Sequence, residues 1–419
     1  MMSVIAPADG RVQADGRRDG VRVVFVSYRR PAVDGDGGNH RTYQILLDLQ
    51  AEFGPENVWS LSLEEWIADS KPVIQPTTNR WRDLVARMRR RAGRTFENPY
   101  KLLTREAWSH SVRFGTRGVL RREFVQFYRD RTRADLCVVD HPMFDDIRSS
   151  NQELGISTVI ATHNIESLDV GRVRLDRQLH LQAAGVDFAN ELYALARYDE
   201  RFAISKVEAS LLTGVGLSCH YYPYLPCGQI RENLLRIAHE RQRRASERDL
   251  FLIVGTANHA PTRKSLEWFL EHATLYGLPA GARVVVVGDK VTQLALHKLR
   301  GVEIRGRVSQ AELQRLLLQA CCAIVPQRMG FGALTRLPEL ACAGVPTLTF
   351  PHAALAIDPP PGVRVLTDDR WDTLSNAMME MIQRTPNLDA ADYEDWERRT
   401  ARPFAPAMRR ILESHAVTS

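Results

Sequence analysis

No apolar run in the chain approaches the roughly 20 residues needed to cross a bilayer, and the start, Met1 to Gly20, has no continuous apolar core of a secretory signal. The first absence excludes a helical membrane-spanning protein, and the second makes the cytoplasm the expected compartment. Cysteine is scarce: Cys137, Cys219, Cys227, Cys321, Cys322 and Cys342 lie scattered among 419 residues, with no CxxC pair and no metal-ligand spacing. A disulfide framework and a structural zinc site are excluded, and reduced thiols inside apolar runs are expected. No D-x-D pair stands at the end of a strand-like run, since Asp145-Asp146 follows His141-Pro142 without supporting ligands. Chemistry with no metal and no bound cofactor is the expectation. No internal repeat of solenoid period is present.

What is present is ordinary in proportion: 44% hydrophobic and 25% charged residues, the balance of a globular protein. A chain of this length exceeds one ordinary core, so two domains are expected, with any site between them in a deep cleft. The net charge of +6 is unevenly spread, because residues 80–133 carry sixteen Lys or Arg against five Asp or Glu. Trp81, Leu84, Val85, Met88, Trp108, Phe114, Phe124 and Phe127 interleave with that charge. Such a stretch suits peripheral contact with an anionic membrane or a phosphorylated acceptor; a solvated helix face fits equally well. Nucleic acid ranks last, since no recognised binding module accompanies the charge.

Along the chain, residues 1–20 read as a tail rich in Gly, Asp and Arg. Val21 to Ser27 reads as a strand, Asp34 to His40 as a glycine loop, and Arg41 to Phe53 as a helix. Ala134 to Asp140, Thr158 to Thr162 and Phe202 to Ser205 continue as buried parallel strands, with a helix over Lys206 to Thr213. Tyr221 to Pro226 holds two prolines in an extended stretch, and the polar segment after it marks a boundary, so 21–222 is the first domain and 223–249 the linker. A second alternation follows over 250–370, with strands at Leu250 to Gly255, Arg283 to Gly288, Val302 to Arg305, Cys322 to Pro326 and Thr347 to Phe350. The last stretch, 371–419, reads as helices packing back toward the first domain. The fold class is therefore α/β, two Rossmann-like domains facing each other across a cleft, with ligands expected at the carboxyl ends of the strands.

The most specific segment runs Pro326-Gln-Arg-Met-Gly-Phe-Gly-Ala-Leu-Thr-Arg-Leu-Pro-Glu339, then Leu-Ala-Cys-Ala-Gly-Val-Pro346. Gly330 and Gly332 let the backbone approach a ligand, the following helix start offers N–H groups to an anion, and Arg336 adds a positive charge. A diphosphate suits that arrangement. Glu339 can accept from a ribose cis-diol, as acidic residues do in dinucleotide-binding folds.

Here the chain resembles the GT-B glycosyltransferases, and among them the retaining enzymes of family 4. Pro326, Arg328, Gly330, Gly332, Arg336, Glu339, Gly344 and Pro346 match the pattern P-x-R-x-G-x-G-x-x-x-K/R-x-x-E-A-x-A-x-G-x-P, with Ala341 and Ala343 each one place after its two alanine positions. The resemblance implies that Glu339 binds the donor ribose and Arg336 faces its phosphates, with Arg328, Ala333 and Leu334 in the same donor loop. Phe331 stands where many members carry a second glutamate against the donor sugar. The segment from Val254 to Phe269 is similar to the family's donor-phosphate region, with Gly255, Arg263 and Lys264 as candidates and Pro261 fitting a helix's first turn. Asp36-Gly-Gly-Asn-His-Arg41 resembles the glycine-rich loop near the reaction centre, placing Gly37 and Gly38 against the donor. Thr162-His-Asn-Ile-Glu166 looks like a segment lining the opposite wall, where His163 would hydrogen-bond the sugar or the departing phosphate. A histidine satisfied by packing is the plainer alternative. Phe202 to Glu208 matches a strand-Ser-x-x-Glu segment that speaks for the fold more than for the chemistry.

The function implied is transfer of a sugar, with retention, from a nucleotide-sugar co-substrate to a carbohydrate, lipid-linked or small-molecule acceptor, as in polysaccharide biosynthesis. His163, Arg336 and Glu339 carry the chemistry, and UDP- or GDP-sugars rank ahead of ADP-sugars. A catalytically inactive binding or regulatory relative is the alternative, and peripheral attachment to the cytoplasmic membrane face is an expectation drawn only from the arginine-rich stretch.

Overall fold

The computed structural model describes residues 20–69, 124, 126, 128–130, 134–168, 179–243, 246–294, 299–400 and 404–418. The expected tail, except Gly20, and almost all of the arginine-rich stretch 80–133 lie outside them; of the described residues of that stretch, Phe124 and Tyr128 are buried in the first core.

Two parallel six-stranded sheets organise the rest. The first is built from β1 (Val23–Ser27), β2 (Val58–Ser62), β3 (Leu136–Val139), β4 (Ser157–Thr162), β5 (Glu200–Ala203) and β6 (His220–Tyr221), in the spatial order β2-β1-β3-β4-β5-β6. β1, β3 and β4 are buried along their whole length, as strands covered on both faces must be. Their registers pair Val23 with both Val58 and Leu136. The two edge strands were not legible as strands. β2 buries only its ends, and β6 is two half-buried residues whose pairing to β5 supplies the regularity.

The second sheet holds β7 (Glu247–Val254), β8 (Arg283–Val287), β9 (Val302–Gly306), β10 (Ala320–Val325), β11 (Thr347–Thr349) and β12 (Val363–Val365), ordered β12-β11-β10-β7-β8-β9. β12 is a largely exposed edge strand, which its sequence does not announce. At the carboxyl ends of β7 and β8 the backbones nearly touch: a Cβ on Gly288 would lie 1.6 Å from the Gly255 carbonyl oxygen.

One helix boundary differs from the sequence reading. Helix α1 runs Gly37–Phe53, so Gly37 and Gly38 form its first turn rather than a loop before it. Asp36 is the reason: its Oδ1 accepts from the Gly38 and Asn39 amides, and the Asn39 side chain answers at the Asp36 amide. That reciprocal cap satisfies orphan donors and fixes the helix start.

The stretch between the sheets is itself helical over Gly228–Arg243, and Ile237 of that helix lies in the core of the second sheet. Helix Ala390–Arg399 packs Tyr393 on Ala341 and Cys342, and its Glu394 and Glu397 hold Arg231. The last helix, Phe404–Thr418, crosses to the first sheet, where Phe404, Ala407 and Met408 join Val23, Phe25 and Ile45. Phe404 stacks on Tyr222 with centroids 4.5 Å apart and planes 3° from parallel. The six cysteines form no disulfide; Cys219 and Cys227 are half-buried and the other four buried.

The carboxyl ends of the two sheets face and touch. Gly332, from the loop after β10, has φ +76 and donates its amide to Glu208 Oε1 of the first domain at 3.0 Å. A Cβ there would lie 2.7 Å from the His163 carbonyl oxygen. Farther along the junction, the Lys206 amide donates to the Ala356 carbonyl at 2.8 Å and its ammonium pairs with Asp358.

Two outcomes follow from this packing. Phe404→Ala should destabilise the first domain by about 3 kcal/mol, the range for a buried Phe truncation, read as a lowered denaturant midpoint; a loss well under 1 kcal/mol would mean the last helix contributes little. Gly332→Ala forces a side chain into both a positive φ and a backbone oxygen, so the domains should part. Small-angle scattering should then report a larger radius of gyration with unchanged circular dichroism, and an unchanged radius would contradict the contact.

Candidate functional site

The first wall of the cleft begins with α1. A Cβ on Gly37 would fall 2.3 Å from Thr335 Oγ1 of the second domain, so glycine lets the first turn of α1 press against the residue preceding Arg336. A helix of 17 residues thus directs the positive end of its dipole into the cleft.

Next to it, β3 is followed by Asp140, which is 1% exposed. Its Oδ1 accepts from the Tyr28 amide at 2.9 Å, and its Oδ2 from Thr42 Oγ1 at 3.4 Å and His163 Nε2 at 3.2 Å. A carboxylate only accepts, so Nε2 of His163 is the donor in this contact and the ring turns Nδ1 away from Asp140. His141 follows in sequence and meets Glu166 at 3.4 Å. Desolvation works against its cation, but Glu166, Asp140 and Glu191 together hold its pKa above the usual imidazole value. Burial pushes Glu191 up to about 7, although the Glu166 amide, the Ser167 amide and the Ser167 hydroxyl all donate to it.

The second wall is organised by Arg336. Its Nη1 donates to the Val254 carbonyl at the end of β7 at 2.7 Å, and its Nη2 to Thr262 Oγ1 at 3.2 Å. Thr262 lies in the first turn of the 17-residue helix Ala260–Tyr276, which Pro261 opens. Crowding by protein atoms pushes the Arg336 pKa down to about 10, partly countered by Glu339, so the group remains a cation at neutral pH. Gly255 makes the room: a Cβ there would sit 3.0 Å from Arg336 Nη1. Glu339, one turn on, receives His40 Nδ1 at 2.7 Å and the Tyr224 hydroxyl at 2.9 Å, both on Oε1.

Several of the sequence candidates therefore meet. Gly37 lies against Thr335, Gly255 against Arg336, and Gly332 against the His163 backbone. Gly38 is tied into the α1 cap, Gly330 has φ +115 and accepts from His352 through its carbonyl at 2.9 Å, and Ala333 and Leu334 pack against the second core. Two cations stand apart. Arg328 pairs with Asp369 at 2.7 Å and lies over the Trp268 ring at 4.8 Å, and Arg263 reaches Glu267 of its own helix at 4.0 Å with about half its side chain exposed. Lys264, on the same helix, is half-buried. The helix after the glycine loop, Arg336–Cys342, is only seven residues, and its start is poorer in donors than expected: the Leu337 amide already bonds the Leu334 carbonyl, and Pro338 has none to offer. Positive charge at this end comes from the Arg336 side chain.

Sequence reading missed His40, Tyr224, Asp140, Thr262 and Glu208 as members of the junction. His40 and Tyr224 lay inside segments read as a loop and a linker; with the helix start at Gly37, His40 falls one turn into α1. Among the described residues no group of three or more His, Cys, Asp and Glu is arranged to hold a metal ion. No described helix is long and apolar enough to cross a membrane.

A scan against protein families finds no match, and neither does a search of curated proteins. Solved structures do match. Anabaena HepE in complex with UDP is 12% identical, covering 94% of this chain and 100% of that one, with a TM-score of 0.53. The catalytic domain of starch synthase IV from Arabidopsis thaliana, bound to ADP and acarbose, is 10% identical over 95% and 99%, at 0.53. The trehalose 6-phosphate synthase of Burkholderia multivorans is 11% identical over 96% and 98%, at 0.52. Two facing α/β domains, each on a parallel six-stranded sheet, and this likeness together show that the chain has the GT-B fold.

Proposed function

We propose that the chain is a retaining glycosyltransferase that moves a sugar from a nucleotide-sugar donor to an acceptor hydroxyl. The observation that carries the reading is the seat of Arg336: a half-buried cation anchored to Val254 and Thr262 beside Gly255, opposite the first turn of α1. Fixed positive charge at the carboxyl ends of parallel strands suits a diphosphate, and suits it best as negative charge develops on the leaving group. The structures to which the chain is similar include one that binds UDP and one that binds ADP.

In this reading Arg336 and the α1 dipole stabilise the departing nucleoside diphosphate, and Glu339 accepts from the ribose diol. The Gly330 and Gly332 loop lets the donor approach the backbone. His163, oriented by Asp140, addresses the transferred sugar or the leaving phosphate from the first wall. The acceptor attacks from the face the nucleotide leaves, and the leaving phosphate itself takes the acceptor proton, so no protein base is obligatory. Contact between the domains excludes water and limits hydrolysis. The donor is a UDP- or GDP-sugar ahead of an ADP-sugar, the acceptor a carbohydrate or lipid-linked hydroxyl. Phe331 and Pro338 in the donor loop favour one competing reading, a binding protein without turnover.

Thermal unfolding with UDP, GDP, ADP and their sugar conjugates tests the donor site. Saturation at about 100 times Kd should stabilise by about 2.7 kcal/mol, which raises the Tm of a domain of this size by about 5 °C or more. Arg336→Ala should abolish the shift, and Glu339→Ala should abolish it for nucleotides while inorganic diphosphate is unaffected. Stabilisation by none of these compounds would overturn the reading. A nucleotide that binds while no sugar is released or transferred would favour the binding protein, and the anomeric proton coupling of any product decides between retention and inversion.

A further inference from the structure

Both nitrogens of the His40 ring face oxygens that can only accept. Nδ1 lies 2.7 Å from Glu339 Oε1, and Nε2 lies 3.2 Å from the Val33 carbonyl oxygen. A neutral imidazole carries one donor nitrogen and one acceptor nitrogen, so it would set a lone pair against one of those oxygens; only the imidazolium donates to both. The Tyr224 hydroxyl donates to the same Oε1, and burial beside that carboxylate keeps the phenol protonated far into the alkaline range. His40 comes from α1 of the first domain, Tyr224 from the segment leading out of it, and Glu339 from the second domain. His40 and Glu339 are only 16% and 21% exposed, so the pair is shielded from much of the screening that weakens surface ion pairs.

We infer that His40 is a positioning residue for the donor site: as the imidazolium it pairs with Glu339 across the cleft, fixes the carboxylate, and makes closure of the two domains depend on one proton. With both bonds gathered on Oε1, Oε2 is the oxygen left to meet a ribose hydroxyl. The ribose part rests on the proposed donor reading; the dependence of closure on a proton does not.

The direction with pH follows from the neighbours. Desolvation disfavours the His40 cation, yet Glu339, the Val33 carbonyl and Asp36 at the start of its own helix outweigh it and raise its pKa above 6.5. Arg336, on the helix of Glu339, and Tyr224 keep their protons through neutrality. A histidine that binds its proton more tightly in the closed form favours that form fully below its ordinary value. The contribution fades as pH rises from about 6.5 through the raised value.

Small-angle scattering of the ligand-free protein from about pH 6 to about pH 9 is the first test, on the natural chain and on His40→Gln. The natural protein should be compact at the acid end and expand as pH rises, while His40→Gln, neutral throughout, should show no such change. Glu339→Gln, which removes the anionic partner from the other side, should lose the same pH response and covers the case in which the His40 variant folds poorly. Equal pH responses in the natural protein and either variant, or a natural cleft that stays closed throughout, would overturn the inference. Calorimetric titration with UDP, GDP and ADP forms the second arm: affinity in the natural protein should fall about fivefold across that range and stay flat in His40→Gln. If no nucleotide binds to either protein, the donor-site reading fails and the scattering alone decides the pair.

Discussion

A guanidinium deprived of most of its water must be answered by acceptors whose positions the fold controls, and Arg336 is the group on which this cleft turns. Its acceptors, the Val254 carbonyl and Thr262, come from the end of one strand and the first turn of the helix after it. Gly288 lets its strand end approach the Gly255 backbone, and Gly255 in turn leaves room for the guanidinium and for Thr262. A large side chain at Gly255 would compete with the guanidinium itself. The requirement for glycine at the strand ends and the requirement for a seated cation are thus one constraint, and it places a positive charge where two domains meet rather than on a solvated face.

The junction repeats that logic across the cleft. Each domain contributes a glycine where the other approaches: Gly37 gives way to Thr335, and Gly332 to the His163 backbone. Each contact is also held by a carboxylate. Glu208, fully buried, joins the Ile165 amide of its own domain and the Gly332 amide of the other through a single oxygen, and Glu339 does the same for His40 and Tyr224. Desolvated carboxylates that bridge domains cost energy when the domains part, because separation removes a donor without returning the full hydration shell. Closure therefore depends on directional bonds at a few points more than on a broad apolar interface, the arrangement expected of domains that must also open.

The repeating strands and helices were legible because buried parallel strands are nearly continuous apolar runs, as Val23 to Ser27 and Ala320 to Val325 are. The loop after β10 stood out because Gly330, Gly332, Arg336 and Glu339 keep fixed spacings within one segment, and the structure brings it to the junction of the two domains. What stayed hidden depends on pairing or on distance in sequence. β6 and β12 are too short to be seen without the strand beside them, and the start of α1 was misplaced because Gly37 and Gly38 look like loop residues until the Asp36 cap is counted. His40 and Glu339 stand 299 positions apart, so no local pattern could join them. Arg328, a donor-loop candidate by its motif position, pairs with Asp369 and lies over the Trp268 ring, contacts that its local sequence does not announce either.

The two walls divide the electrostatics between them. The second wall carries the seated cation of Arg336, whereas the first gathers Asp140, Glu166, Glu191 and Glu208 near His141 and His163. Carboxylates packed that closely persist only where amides, hydroxyls and imidazoles answer them, and each here has such a partner. His141 gains proton affinity from that crowd, and Glu191 is pushed up to about 7 within it. The cleft thus sets a seated cation on one sheet against carboxylates and imidazoles that answer one another on the other, so fixed positive charge and exchangeable protons are kept on opposite walls.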